Sequence, residues 1–313
     1  MPEPLTTHRP VVGIMLKLSA IFLFTFMAAI VKYTSDQVPP GEAVFFRSFF
    51  AIPVILIWLA FRGELPGGLK AKKPLRHVWR GILGTSAMGL TFTGLGLLPL
   101  PEVTAIGFAT PIFTLILAAL ILGERIRLIR ISAVLIGLVG VSIMLWPRLS
   151  GSGDLQDGAT MGALFILIAT IARSLVQVQI RVLVQSESTA AIVFYFSVIA
   201  SVVSLLTLPF GWTLPSLDVI LILMSTGVMG GIAQILVTAA YRYGPASMLA
   251  PYDYSSMIFA VIVGYVWFGE LPTAVILIGG ALVIAGNAVV ILRERQLGLD
   301  RRKARSVTDP KSG

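Results

Sequence analysis

The chain has no cysteine and only two histidines, His8 and His77. The first absence excludes disulfides, thiolate metal sites and cysteine nucleophiles, and says little about compartment. The second leaves too few imidazoles for a histidine metal site, so no metal and no cofactor is expected. Charge is scarce as well. Asp, Glu, Lys and Arg make up 12% of the residues, where a soluble domain carries about 25%. No stretches of about ten residues with alternating apolar and polar positions recur, so the signature of a membrane barrel is missing. No Walker-type phosphate loop occurs, and the scattered Gly-x-Gly pairs fall inside apolar runs where no dinucleotide fold forms. His or Asp runs of the kind a membrane-embedded enzyme needs at one interface are also missing. The chain does not read as an enzyme.

What is present is hydrophobic: 56% of 313 residues. Ten apolar segments stand out, roughly 11–34, 42–61, 77–98, 101–122, 129–147, 158–184, 189–210, 216–241, 245–268 and 272–292. Runs near 20 residues match helices crossing a hydrocarbon core about 30 Å thick. Pro and Gly punctuate almost every boundary. The first run, Val11 to Val31, is too long for a signal-peptide core and is expected to be a retained helix. The formal charge of +9 raises the question of nucleic acid, but the charges sit in short loops and in the C-terminal tail. That distribution is what membrane orientation requires, and no nucleic-acid partner is expected.

With the N-terminus placed in the cytoplasm, the inside segments hold 18 Lys and Arg. These are Arg9, six from Arg62 to Arg80, Arg125, Arg127 and Arg130, Arg242, and seven from Arg293 to Lys311. The outside segments hold only Arg148. The asymmetry predicts that both termini are cytoplasmic.

The stretch Pro245 to Glu270 organises the rest, because it has an earlier copy. Moving back 146 positions takes Pro245 to Pro99, Ile258 to Ile112, Phe259 to Phe113, Gly269 to Gly123 and Glu270 to Glu124. The same offset takes Gly227 to Gly81, Gly230 to Gly84 and Gly286 to Gly140. Each copy has five segments, an odd number, so the second copy is expected upside down. The loops agree, since Arg62–Arg80 is basic and its counterpart from Gly211 has no Lys or Arg. Two halves of opposite orientation place a substrate site near the midplane between them. The expected domains are an N-terminal tail 1–10, a first repeat 11–147, a periplasmic linker 148–157, a second repeat 158–292 and a basic tail 293–313. The fold class is an all-α polytopic membrane protein of ten transmembrane helices in two inverted five-helix repeats.

These features resemble the drug/metabolite transporter superfamily, EamA type, over 11–292. The resemblance rests on the paired starts at Pro99 and Pro245, the Gly-Glu pairs at Gly123-Glu124 and Gly269-Glu270, and the glycines of the closing helices at Gly137, Gly140, Gly279, Gly280 and Gly286. The run AYRYGPASMLAPYDYSSMIFAVIVGYVWFGELP from Ala240 is similar, more narrowly, to bacterial riboflavin or S-adenosylmethionine uptake carriers. The family resemblance implies a multi-pass secondary carrier of the bacterial inner membrane that moves a small organic metabolite. The narrower one implies a heteroaromatic vitamin or nucleoside-like compound, or an amino-acid-like metabolite. A lipid-type flippase or a drug/metabolite exporter of the same superfamily is the alternative. Partners are then the substrate and membrane lipids, and a monomer or a homodimer fits equally.

Ionisable groups inside a bilayer are costly and therefore candidate functional groups. Asp253 lies about eight residues inside its segment, flanked by Tyr252 and Tyr254 and preceded by Pro251, which removes a backbone donor. It is either a substrate or proton site or half of a structural ion pair. Arg173 lies deep in the sixth segment, with Gln177 one turn on, and Asp253 is its expected partner. Arg47 is either a snorkelling interfacial residue or a guanidinium that holds an anionic group. Lys32 and Arg181 occupy equivalent helix ends and are gates or membrane anchors. Gln234 and Asn287 are intramembrane amides that hold helices together or line a cavity. Glu124 and Glu270 stand at helix C-termini and read as structural; Glu270 has no basic neighbour in sequence. Tyr252, Tyr254, Phe108, Phe259 and Trp267 either stack on a flat ring or face lipid.

Overall fold

The computed structural model describes residues 10–122, 128–150, 158–183, 186–213, 215–243 and 249–289, and among these there is helix and no strand. In chain order the helices are α1 (Pro10–Thr34), α2 (Pro40–Phe49), α3 (Ala51–Phe61), α4 (Pro74–Leu97), α5 (Leu100–Gly107) and α6 (Thr110–Leu122). They continue as α7 (Leu128–Ser150), α8 (Gly158–Leu183), α9 (Thr189–Leu205), α10 (Leu217–Tyr243), α11 (Ser255–Phe268) and α12 (Ala274–Val289). A 3-10 segment, Ala250–Tyr254, leads into α11.

Local chemistry sets the boundaries. Pro40 and Pro74 open α2 and α4, where a missing N–H costs nothing. The Ser188 hydroxyl caps α9 by accepting the Ala191 amide at 3.0 Å. Gly269 closes α11 at φ 67°, a left-handed conformation that a side chain would strain. Two spans are broken by proline. Pro53 offers no amide to the Phe49 carbonyl, and α2 gives way to α3 there. Pro111 offers none to the Gly107 carbonyl; the chain breaks at 108–109, and the Thr110 hydroxyl donates to that carbonyl at 2.7 Å.

Five spans are long and apolar enough to cross a membrane: Val11–Thr34, Pro40–Phe61, Leu100–Ile121, Gly158–Ile180 and Leu217–Val237. Shorter apolar helices cover Val134–Pro147, Ala190–Leu205, Tyr252–Phe268 and Ala274–Val289. The 24-residue α4 is long enough but richer in Gly and Thr. Leu95, Leu98, Leu100, Ile106 and Ile166 are fully buried where α4, α5 and α8 meet, and Leu223 is buried on α10, which packs on α1, α2 and α3. Large apolar side chains also point outward, Phe61, Val266 and Trp146 among them, which suits a lipid solvent. Glycines let helices close in: a Cβ on Gly140 would stand 2.6 Å from the Gly279 carbonyl oxygen. Gly89 has open space around it and plays no such part.

Polar ties join distant helix ends. Lys32 pairs with Glu270 at 3.0 Å and donates to the carbonyls of Leu98 at 2.7 Å and Leu95 at 3.2 Å, while Glu270 accepts the Leu100 amide at 2.8 Å. One lysine thus holds α1, the α4–α5 junction and the end of α11 together. Glu187 accepts the amides of Lys72 at 3.0 Å and Lys73 at 2.7 Å, and His77 lies 3.5 Å away. Burial alone would raise the Glu187 carboxyl, but the two amides and His77 outweigh it and hold its pKa below the ordinary value. Glu42 accepts the Thr213 amide at 3.0 Å.

Several expectations change here. Glu270 does have a cation, supplied by a helix 238 positions earlier in the chain at Lys32. Lys32 is a structural tie and does not line the cavity described below. His77 and Arg80, expected in a basic loop, are buried on α4. The loop therefore loses one positive charge from the orientation count. Glu124 lies outside the described residues, as does the side chain of Arg181.

Candidate functional site

A cavity of about 850 Å³ is lined by α1, α2, α4 to α10, the 3-10 segment, the start of α11 and α12. Its wall is mostly apolar, with a few polar groups, the composition of a small-molecule site. Six of the residues expected from sequence line it: Arg47, Arg173, Gln177, Gln234, Asp253 and Tyr254. They come from four different helical segments, α2, α8, α10 and the 3-10 segment, so no local stretch of sequence could have announced their meeting. Tyr252 is half-buried and does not line the cavity.

Asp253 sits in the 3-10 segment and not inside a regular helix, and its side chain is 52% exposed. Its ion-pair partner is Lys17 on α1, at 2.7 Å. The expected pairing with Arg173 is not formed. Arg173 donates instead to the Thr91 hydroxyl of α4 at 2.9 Å. The physical reason is position: α8 packs on α4, α5 and α6, while the 250–254 segment packs on α1. Lys17 lies inside the first apolar run, where an intramembrane cation is the signal that could have marked it as a partner for Asp253.

The remaining groups are arranged around these charges. The Thr114 hydroxyl donates to Gln177 Oε1 at 3.2 Å, and Ser174 donates to the Thr110 carbonyl at 2.9 Å, tying α8 to α6. Asn287 Nδ2 donates to the Phe108 carbonyl at 3.1 Å, which secures α12 to the proline break. The Phe108 and Tyr254 rings meet edge to face, 5.3 Å apart, and both line the cavity. Phe259 and Trp267 do not. Trp267 packs against Phe26 and Tyr33, and Phe259 against Phe22, on the α1 side of α11.

Arg47 is no snorkelling residue. It is 9% exposed, and its guanidinium stands 5.7 Å over the Phe196 ring. Arg80, which sequence placed in a loop, is 8% exposed and stands 4.3 Å over the same ring. Both line the cavity. Among the described lining residues, four side chains are cationic and one is anionic. No group of three or more His, Asp or Glu that would suit a metal is found among the described residues.

The sequence profile of the EamA-like transporter family matches residues 11–146 and 160–292. The chain is 29% identical over 265 residues to an S-adenosylmethionine uptake transporter of Rickettsia bellii, covering 85% of this chain and 88% of that one. It is 29% identical over 276 residues to the pseudopaline exporter CntI of Pseudomonas aeruginosa, covering 87% and 93%. An uncharacterized transporter of Helicobacter pylori is 28% identical over 289 residues. A crystal structure 21% identical in sequence superposes with a TM-score of 0.64, covering 91% of this chain and 97% of that one, and shows a shared fold.

Proposed function

Because the chain belongs to the EamA-like transporter family, a family of membrane transporters and not of enzymes, we propose that it is a secondary carrier of a small organic metabolite that works by alternating access. The observation that carries this reading is the cavity itself. It is large enough for a metabolite, it is walled by helices from both halves of the chain, and it concentrates deep charges that a purely structural bundle has no use for.

The carrier is read as ten crossings in two inverted repeats, 11–147 and 158–292, in the bacterial inner membrane, with tails 1–10 and 293–313 cytoplasmic and 148–157 periplasmic. Three observations support it. Phe108 and Tyr254 are equivalent under the 146-residue offset and touch each other, as residues beside a two-fold axis must. The spans that hold them both break near that point. Glu42 in the first turn of α2 accepts the Thr213 amide, and Glu187 just before α9 accepts those of Lys72 and Lys73, so each carboxylate holds the loop after the second span of the other half. Broken helices at a repeat interface are the usual setting of a carrier's binding site.

Within this scheme Lys17 and Asp253 form the coupling pair. Asp253 is half-exposed to the cavity, so its carboxylate can exchange Lys17 for a proton or for a cationic group of the substrate. The Rickettsia and Pseudomonas relatives are named for opposite directions, uptake and export. The fold therefore supports movement either way. An aromatic or amino-acid-like metabolite suits the Phe108 and Tyr254 rings beside these charges. The test is flux in proteoliposomes. Asp253→Asn should abolish accumulation driven by a pH gradient and spare exchange of solute across the membrane. Undiminished gradient-driven uptake by this variant would remove Asp253 from the mechanism.

A further inference from the structure

Among the described residues no carboxylate pairs with Arg47 or Arg80. The ion pairs of the described residues go elsewhere, to Lys17, Lys32, Arg62 and His77. Arg47 Nε and both Nε and Nη1 of Arg80 are fully buried without a hydrogen-bond partner among the described residues. Phe196 offers each guanidinium a ring face, which offsets part of the desolvation but satisfies none of these N–H groups. Two like charges beside one ring also repel. Buried cations of this kind persist where a counter-charge arrives from outside. Two glycines make the room: a Cβ on Gly230 would stand 3.2 Å from Arg47 Nε, and one on Gly84 would stand 2.8 Å from the Phe196 ring.

We propose that Arg47 and Arg80, set over Phe196 in the cavity wall, form an oxyanion subsite that binds a carboxylate or phosphate group of the transported solute. This deepens the carrier reading and rests on it. The guanidinium fork matches a planar carboxylate or a phosphate through two parallel hydrogen bonds, whereas an ammonium does not. The subsite lies on α2, α4 and α9, apart from the Lys17–Asp253 pair on α1 and the 3-10 segment. A solute with separate anionic and cationic groups can therefore engage both at once. The excess of cations over anions in the wall selects against solutes with no anionic group.

The experiment uses the full chain in nanodiscs of zwitterionic lipid. Melting is followed with citrate, with inorganic phosphate, and with chloride at matched ionic strength. Citrate or phosphate should raise the melting temperature and chloride should not. In Arg47→Gln and Arg80→Gln the half-maximal anion concentration should rise at least about tenfold, the loss expected for a charge-assisted hydrogen bond. Arg47→Lys and Arg80→Lys keep the charge and lose the fork, and should fall in between. Phenylglyoxal labelling of the unaltered protein covers the case in which a variant fails to fold. Citrate or phosphate should shield Arg47 and Arg80 and leave Arg62 reactive. Stabilisation by neither anion, unchanged half-maximal concentrations, or equal labelling with and without anion would overturn the subsite. Loss of the citrate and phosphate effect in nanodiscs containing an acidic phospholipid would assign the site to lipid headgroups instead and overturn the solute assignment. Solute flux without any anion effect would sink the subsite and leave the carrier standing. An anion effect with no flux of any solute would overturn the carrier reading and the solute assignment with it, and leave only an anion site.

Discussion

Asp253 shows how a residue's role depends on what reaches it. Its sequence context offers two tyrosines and a proline and no cation. The cation that meets it, Lys17, is 236 positions earlier. Arg173, equally deep and opposite in sign, is held by Thr91 instead. The distinction is measurable. Lys17→Met and Asp253→Asn should each lower stability in detergent, by more than the roughly 1 kcal/mol of an exposed pair and less than the 3–5 kcal/mol of a fully buried one, because Asp253 is half-exposed. The double variant should recover part of the loss. Arg173→Gln combined with Asp253→Asn should be additive. Coupling in the second cycle and none in the first would show that the charges pair differently in the membrane.

At the scale of elements, the helices are tied at their ends by carboxylates on backbone amides. Glu187 fixes the start of α9 to the loop before α4, and Ser188 adds a bond to the Gly68 carbonyl at 2.7 Å. The amides that hold Glu187 need its carboxylate, and they set a pH dependence. A carboxyl held below its ordinary value contributes fully above that value, about 4.5, and loses its contribution as pH falls through the lower folded value. Glu187→Gln should melt a few degrees below the unaltered protein at neutral pH. The gap should narrow as pH drops below about 4.5. A gap that stays constant into acid would mean that the carboxylate's charge has no part in the tie.

For the whole molecule, the placement of the lysines is the accessible test. Cysteine labelling should find positions 70 to 73 and Lys303 on the cytoplasmic side, and Asp154 and Ser216 outside. Moving Arg80 from loop to cavity removes one charge from the cytoplasmic tally and leaves the bias strong, because five basic residues from Arg62 to Arg76 remain in that segment. Labelling of position 72 from the outside would overturn both the orientation and the inversion of the second half.

The amino-acid sequence is enough to establish that the chain is helical, membrane-spanning and a transporter. Those properties come from apolar run length and from a family-wide pattern, and both are local or additive along the chain. Helix ends were legible to within a few residues because Pro, Gly and Ser act on their own backbone. It also pointed to six residues that line the cavity, because intramembrane charges and amides are conspicuous by their cost. Which side chain meets which is settled by helix packing. Lys17 finds Asp253, Lys32 finds Glu270, and Arg80 leaves its apparent loop to stand with Arg47 over Phe196. Ion-pair choice depends on which helices pack side by side, and a periodicity of apolar residues nearly uniform around each helix carries no record of that. In lipid both faces of a helix are apolar, so the usual signal that tells the inner face from the outer is absent.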